Sequence, residues 1–286
     1  MNRRMFFYVL LVVCVCGGFI GLRAGAESGA SSRAGEFSVL TYNVAGLPEL
    51  ISGSHPSVYT ELISPKLNDF DLVLVQEDFS YNDELSSRTE HAHSSPPGTA
   101  GTVGDGLARF SRFPIQGKVD HVSWEECHGY FGHANDCLTK KGFSIGVHEL
   151  RPGTPVHVYN LHMDAGGSER DQETRSVQMD QLIRYMKKHS KGMPVIIAGD
   201  FNLAEERPRD LKTLQRLIDK QVLKDACRQM NCGRERIDRI LFRGNDSLRF
   251  KAVRYQVEEE RFTNDKGKQL SDHEAVSAVL EWKVVE

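Results

Sequence analysis

Short apolar runs that end in a polar side chain recur along this chain. Three of them are Val39–Asn43, Asp71–Glu77 and Val156–His162. A fourth run, Pro194–Gly199, delivers Asp200 and Asn202 directly after it, and a fifth, Arg236–Leu241, has one acid inside it. Their length and their content of valine, isoleucine and leucine are typical of buried β-strands. Because functional groups at strand ends meet where loops reach solvent, we expect the polar side chains that close these runs to converge on one edge of the fold.

Two other segments place apolar residues at helical spacing. They are Val58–Leu67 and Glu169–His189, the second with Val177, Leu182, Ile183 and Met186. Apolar strands with helices between them predict an α/β fold in which two sheets pack face to face and helices cover the outside.

The N-terminal residues have the pattern of a secretory signal. Arg3 and Arg4 precede an apolar run from Met5 to about Leu22, and Ala24-Gly25-Ala26 is a small-x-small cleavage signal. We therefore expect residues 1–26 to be a signal peptide and the protein to be secreted. An uncleaved N-terminal anchor is the alternative, since an apolar run of this length only just spans a bilayer.

The rest of the chain has the composition of one globular domain, because 40% of the 286 residues are hydrophobic and 26% are charged. We expect residues 27–35 to be a flexible linker and residues 36–286 to be one catalytic domain that acts as a monomer. Loss of the three leader arginines takes the formal charge from −3 to −6. An acidic chain is not an obvious static binder of nucleic acid, which weighs mildly against a nuclease.

Four cysteines follow the predicted signal peptide: Cys127, Cys137, Cys227 and Cys232. An even number of cysteines in an exported chain indicates disulfides. Three connectivities are open, and the two local pairs, Cys127 with Cys137 and Cys227 with Cys232, require the least of the fold. A zinc site is the rival interpretation, but the Cys-x-x-Cys spacing that would support it is missing.

The groups that close the apolar runs suit metal-assisted hydrolysis of a phosphoester. Gly199-Asp200-Phe201-Asn202 and, about seventy residues later, Ser271-Asp272-His273 supply two carboxylates, an amide and an imidazole. Asp and Asn are also ordinary turn residues, so neither motif is decisive alone. Attack of water on a phosphodiester needs a cation, a base and a group that stabilises the leaving oxygen, and these side chains can supply or hold all three.

Six motifs in order resemble the endonuclease/exonuclease/phosphatase superfamily, and most of all its neutral sphingomyelinase-like branch. The resemblance runs from about Phe37 to Trp282. The motifs are Tyr42-Asn43, Gln76-Glu77, Asn160-Leu161-His162, Gly199-Asp200-Phe201-Asn202, Ile237-Asp238 and Ser271-Asp272-His273. The resemblance implies a four-layer α/β sandwich of two packed, mostly antiparallel sheets flanked by helices.

The resemblance also implies a metal site and a catalytic pair. We expect Glu77 to be the principal ligand of Mg²⁺, with Mn²⁺ as the alternative, because Mg²⁺ prefers a few carboxylates and keeps several waters. Asn43 and Asp272 would complete that site. His273 would be the general base that deprotonates water, and Asp238 would bond its other ring nitrogen and fix the tautomer.

Three further residues are expected to contact the reacting groups. Asp200 and Asn202 would orient the attacking water and contact the phosphate. His162 would donate to a non-bridging oxygen as negative charge accumulates there.

The segment Asn135–Phe143 bears on the substrate. It is similar to the neutral sphingomyelinase segment in which an aspartate precedes a Lys-Gly pair by five residues, here Asp136 and Lys141-Gly142. We expect Lys141 to contact the substrate phosphate and Asp136 to belong to the same substrate-binding set. The alternative is a hairpin whose lysines are only solvated.

Three aromatic residues, Trp124, Tyr130 and Phe131, lie just before this segment and suit peripheral contact with a membrane, although aromatic residues are more often core. The chain lacks an obvious long apolar membrane-insertion hairpin further on. We therefore expect a secreted, Mg²⁺-dependent phosphodiesterase that cleaves phospholipid headgroups. A secreted deoxyribonuclease-like enzyme that acts on nucleic acid is the runner-up, and a catalytically silent binding protein is the third alternative.

Overall fold

Two six-stranded sheets face each other in the computed structural model, which describes residues 33–49, 55–99, 101, 103–130 and 136–285. The predicted signal peptide and most of the predicted linker lie outside these residues. The first strand begins at Ala34, two residues before the expected domain boundary.

The described residues form the following elements in chain order. The strands are β1 (Ala34–Asn43), β2 (Leu72–Gln76), β3 (His93–Ser95), β4 (Ala108–Ser111), β5 (Ile115–Ser123), β6 (Gly142–Arg151), β7 (Thr154–His162), β8 (Val195–Asp200), β9 (Lys224–Asp225), β10 (Asp238–Arg243), β11 (Leu248–Val257) and β12 (Val276–Val284). The α-helices are α1 (Pro56–Ile63), α2 (Asn82–Ser86), α3 (Glu169–His189), α4 (Pro208–Gln221) and α5 (Ala226–Gln229).

Each sheet contains one parallel pair among antiparallel neighbours. The first sheet has the order β11-β12-β1-β2-β4-β3, and the second has the order β5-β6-β7-β8-β10-β9. The parallel pairs are β1 with β2 and β7 with β8, at the centre of each sheet. The predicted sandwich of two mostly antiparallel sheets is confirmed.

Every second residue of the central strands points into the space between the two sheets and fills it. Phe37 and Val39 of β1 and Ile196 and Ala198 of β8 belong to one buried cluster that joins the two sheets. The intervening residues face outward, as Leu40 does on β1, because successive side chains of a strand point to opposite faces. Both faces of these strands are therefore buried, which explains why they read as nearly continuous apolar runs.

Helices cover the two outer faces and complete the four layers. Tyr59 and Ile63 of α1 pack on the first sheet, and Met179 of α3 and Leu214 of α4 pack on the second. Among the described residues, no helix is long and apolar enough to cross a membrane.

The first helix ends earlier than the sequence pattern predicts. The expected helix over Val58–Leu67 is an α-helix only to Ile63, and a 3₁₀ helix continues over Ser64–Asp69. Pro65 lacks the backbone N–H that would continue the α-helical ladder, which accounts for the change. The second predicted helix, Glu169–His189, has the expected bounds and begins at a capping box between Ser168 and Asp171.

Both local disulfides are formed. Cys127 is bonded to Cys137, and Cys227 is bonded to Cys232. The local pairing predicted from the sequence is confirmed, and the zinc interpretation is wrong for these four residues.

Candidate active site

Strand alternation carries polar side chains onto the inner face of both sheets at one edge of the sandwich. On β8, Ile196 and Ala198 pack between the sheets, and Asp200 continues the same face. On β7 His162 continues the face of Val156 and Val158, and on β1 Asn43 continues the face of Phe37 and Val39. All three polar residues are buried, and each lies two to four residues beyond the last apolar residue of the inner face of its strand.

Register aligns three of these groups across neighbouring strands of the second sheet. Asp200 of β8 pairs with His162 of β7 on one side and with Asp238 of β10 on the other. Gly199 allows this close approach, because a Cβ there would lie 2.0 Å from the carbonyl oxygen of Leu161. A larger residue at this position would separate β7 from β8 and pull Asp200 away from His162.

The amide of Asn43 joins the two sheets at the centre of the cluster. Its Nδ2 donates to Glu77 Oε1 at 3.0 Å and lies 3.3 Å from Asp200 Oδ2. His162 Nε2 is 3.3 Å from Asp200 Oδ2 and 3.7 Å from Glu77 Oε1. Burial raises the pKa of Glu77 above its usual value, and burial together with the charge of Asp238 raises the pKa of Asp200 to about 6.

Two of the site residues adopt left-handed backbone conformations. Glu77 has a φ of 58° and Asn202 a φ of 51°. Asparagine tolerates this region, whereas glutamate does so at a cost that commonly marks a functional position. Asn202 is held by its backbone N–H, which donates to Asp200 Oδ1 at 2.9 Å, and by its Nδ2, which donates to the Met163 carbonyl at 3.0 Å.

His273 and Asp238 form the expected pair. His273 Nδ1 lies 2.9 Å from Asp238 Oδ2, and its Nε2 is directed to the cluster, 3.7 Å from Asp200 Oδ2. Ser271 fixes the loop, since its Oγ donates to the Asn43 carbonyl at 2.7 Å and accepts from the His273 N–H at 3.2 Å. Burial lowers the pKa of His273, but the hydrogen bond and charge of Asp238 outweigh burial and raise the pKa to about 10.

The second imidazole has the opposite electrostatic environment. Burial, followed by the nearby charges of Lys141 and His273, lowers the pKa of His162 well below its usual value. His162 is therefore neutral at pH 7. Its Nδ1 is buried without a hydrogen-bond partner among the described residues, which leaves the ring held by its packing and by Nε2.

Lys141 enters the cluster paired with Asp136. The ammonium group bonds Asp136 Oδ1, which also accepts the Ala165 N–H at 3.2 Å. Burial lowers the pKa of Lys141, but the charges of Asp136 and Glu77 outweigh burial and raise it above the usual value. Both predicted substrate-binding residues thus reach the site, with Lys141 as a buried cation.

The donor set fits a hard divalent cation. Carboxylates of Glu77 and Asp200 converge on Asn43 Nδ2, and burial raises the pKa of both carboxyl groups, an effect that a nearby cation would oppose. Asn43 Oδ1, the atom that could bind a cation, accepts the Ala45 N–H at 3.0 Å, so the role of Asn43 as a ligand stays a prediction. Asp272 is exposed next to His273, and its Oδ1 accepts from Ser271 Oγ at 3.4 Å, so its role as a ligand stays a prediction.

A second grouping competes with this assignment. Ligand atoms of Asp200, Asp238 and His273 lie within 4.8 Å of one another and could hold an ion by distance alone. His273 Nδ1 and Asp238 Oδ2 already bond each other, so this grouping would lose its best hydrogen bond on binding an ion. We therefore favour the Glu77 side of the cluster.

Two amides beneath the cluster received no role from the sequence. Gln76 Nε2 donates to Asn160 Oδ1 at 2.7 Å, and Asn160 Nδ2 donates to the carbonyls of Val75 and Ala108 at 2.9 Å. This buried link fixes the first sheet against the second directly under Glu77 and His162. Both amides belong to motifs that the sequence revealed, but their contact spans 84 residues.

Trp124 is half-buried against the core, so its contact with a membrane stays a prediction. Trp124 packs on Phe143 with ring centroids 5.2 Å apart, and its Nε1 donates to the His162 carbonyl at 2.7 Å. These contacts support the end of β7. Tyr130 is 58% exposed, and Phe131 lies outside the described residues.

The chain is similar in sequence to known proteins. Residues 40–273 match the model of the Endonuclease/Exonuclease/phosphatase family. A sphingomyelinase of Mycobacterium tuberculosis is 34% identical over 263 residues, which cover 84% of this chain and 51% of that protein. The chain thus spans about half the length of this curated relative.

Solved structures share the fold at lower identity. Sphingomyelinase C from Streptomyces griseocarneus has a TM-score of 0.65 at 19% identity, covering 86% of this chain and 99% of that one. A beta toxin variant from Staphylococcus aureus with bound magnesium ions has a TM-score of 0.63 at 19% identity, covering 85% and 99%. At this identity the likeness shows the fold alone.

Proposed function

Because this chain belongs to the Endonuclease/Exonuclease/phosphatase family, we propose that it is a secreted, Mg²⁺-dependent phosphodiesterase that cleaves phospholipid headgroups in the manner of a sphingomyelinase or phospholipase C. One observation carries the proposal. Two carboxylates from different sheets, Glu77 and Asp200, converge on one amide beside a His–Asp pair. The similarity to the mycobacterial sphingomyelinase supports the lipid substrate class.

Glu77, Asn43 and Asp272 would hold the divalent cation, with Asp200 beside them. Such an ion, when bound, supplies positive charge that stabilises phosphoryl oxygens and lowers the pKa of nearby water. Mg²⁺ is the first expectation and Mn²⁺ the second, since both accept carboxylate and amide oxygens.

The residues of the chain divide the remaining chemistry. His273 would accept the proton of the attacking water at Nε2 in its neutral form, the minority form below its raised pKa of about 10, while Asp238 at Nδ1 fixes its orientation. His162, neutral and buried, donates a hydrogen bond to a phosphoryl oxygen. Asp200 and Asn202 orient the water, and Asn202 is held for that purpose by its bond to Met163.

We expect Lys141 to contact the phosphate of the lipid headgroup and so to favour lipid over small soluble phosphodiesters. Lys141→Ala should lower kcat/KM for sphingomyelin vesicles by roughly tenfold to a hundredfold, the scale of losing a charge-assisted hydrogen bond. A small soluble phosphodiester such as bis(p-nitrophenyl) phosphate should lose less. Steady-state assays on both substrates check this, with Lys118→Ala, an exposed lysine on β5, as the control. Equal losses on both substrates would contradict a headgroup role.

A substrate panel tests the whole proposal. Sphingomyelin, phosphatidylinositol, inositol phosphates and DNA are assayed with Mg²⁺ and again with chelator. We expect release of a phosphorylated headgroup that chelator abolishes. Cleavage of DNA alone, declining steeply with added salt, would defeat the lipid assignment in favour of the nuclease.

Secretion is supported by the leader pattern and by the two disulfides. Mass spectrometry of protein from the exported fraction should show an N-terminus near Glu27 and both pairs, Cys127–Cys137 and Cys227–Cys232. Removal of either pair should cost roughly 2–4 kcal/mol of unfolding free energy. Four free thiols in exported protein would contradict the proposed compartment.

A further inference from the structure

A fully buried ion pair lies behind the candidate active site. Arg175 of α3 and Asp210 in the first turn of α4 both have side chains with 0% exposure. Arg175 Nε donates to Asp210 Oδ1 at 3.1 Å, and Nη2 donates to Asp210 Oδ2 at 3.0 Å. Such a pair is weak evidence for net stability, because desolvation of two charges offsets most of their attraction. Its location suggests another use.

The remaining nitrogen of the guanidinium binds the loop that follows β7. Arg175 Nη1 lies 3.0, 3.1 and 3.0 Å from the carbonyl oxygens of Asp164, Ala165 and Gly166. Three successive carbonyls can converge on one nitrogen only if the backbone curls around it. The cation therefore sets the conformation of this loop, the Asp164–Gly166 segment, which begins two residues after His162.

The Asp164–Gly166 segment in turn holds the residues that present Lys141. The Ala165 N–H donates to Asp136 Oδ1, the oxygen that also bonds Lys141. Asp164 Oδ2 accepts from the His128 N–H at 2.7 Å, next to the Cys127–Cys137 disulfide. A continuous series of contacts thus runs from the buried pair to the cation in the active site.

We propose that Arg175 and Asp210 are positioning residues that set the placement of Lys141 through the Asp164–Gly166 segment. Lysine cannot replace Arg175, because a single ammonium lacks the planar fork that bonds a carboxylate with two nitrogens and still reaches the carbonyls. The inference rests on the proposed function only in taking Lys141 as a substrate-binding group.

A double-mutant cycle tests the route through Lys141. Arg175→Lys, Lys141→Ala and the double variant are assayed with Mg²⁺ on sphingomyelin vesicles and on bis(p-nitrophenyl) phosphate. Arg175→Lys should lower kcat/KM on vesicles by about tenfold, a coupling typical of residues in one network. In the Lys141→Ala background the same change should have little further effect. An equal fold-loss in both backgrounds would show a merely structural role and overturn the proposal.

A paired variant guards against misfolding caused by a lone buried charge. Arg175→Met combined with Asp210→Leu removes both charges together, which often preserves stability. This variant should fold and show the same loss on vesicles as Arg175→Lys. Full vesicle activity in the folded paired variant would refute the proposal.

Hydrogen exchange gives a readout that needs no turnover. Backbone amides of residues 136–141 should exchange faster in Arg175→Lys than in the unaltered protein. Met179→Ala, a buried core change on the same helix, is the matched control and should destabilise the fold without speeding exchange there selectively. If the unaltered protein hydrolyses no substrate in the panel, the proposed function is wrong. Separately, unchanged exchange of residues 136–141 in Arg175→Lys would show that the proposed positioning role is wrong.

Discussion

Replacement of Glu77 by glutamine should nearly abolish turnover while the fold survives. The substitution keeps size and removes the charge that a divalent cation requires. Turnover should fall by roughly a thousandfold, the scale of losing one preorganised electrostatic group. Because Glu77 is paired through Asn43 to Asp200, the change removes one of two converging carboxylates and leaves a neutral amide beside the other.

Two measurements test the Glu77→Gln variant. Steady-state kinetics at several Mg²⁺ concentrations reports turnover, and isothermal titration with Mg²⁺ reports binding of the ion. Burial of the Glu77 carboxylate raises its pKa, so its loss should not unfold the protein, which thermal unfolding checks. Glu281→Gln, on an exposed position of β12, is the matched control. Full turnover by folded Glu77→Gln protein would show that Glu77 is not the principal ligand of the cation.

His273→Ala and Asp238→Asn should each lower kcat far more than they change KM. General base catalysis contributes about a hundredfold to ten-thousandfold, and the bond between His273 Nδ1 and Asp238 Oδ2 makes the two residues one unit. The double variant should therefore lose little more than His273→Ala alone. Multiplicative losses in the kinetic cycle would show that the two side chains act separately.

The charge of His273 provides a second check on this pair. In chelator its pKa is expected at about 10, because Asp238 outweighs the effect of burial. Asp238→Asn removes that negative charge, so the pKa should fall and the ring should be neutral at lower pH than in the unaltered protein. Histidine NMR signals followed through a pH titration measure the shift. An unchanged titration of His273 would indicate that Asp238 does not control it.

The local sequence pattern predicted the secondary structure correctly wherever burial of both faces of a strand restricts it to apolar residues. The strand β7 ends at His162 as predicted, the helix α3 has both predicted bounds, and the predicted runs at β1, β2, β8 and β10 are strands. A strand buried on both faces is apolar along most of its length, so its position shows in the sequence, and the polar residues at its end mark the edge of the apolar core.

Local pattern failed where one residue changes backbone geometry or where packing direction matters. Pro65 converts the end of the first helix into a 3₁₀ turn. Trp124 follows a strand and precedes a loop. The neighbouring residues do not show that its ring packs on Phe143 or that its Nε1 donates to the His162 carbonyl. An aromatic side chain has the same sequence signature whether it faces a membrane or a core.

The sequence by itself determined the chemistry available at the active edge, because Asn43, Glu77, His162 and Asp200 end or directly follow its apolar runs and His273 belongs to the Ser271-Asp272-His273 motif. Only the tertiary structure decided which of them touch. The Asp200 register between β7 and β10, the Gln76–Asn160 link between sheets and the Arg175 contacts behind the site join residues far apart in the chain. Such contacts depend on how complete sheets and helices pack, and packing is a property of the assembled fold that no local window of residues contains.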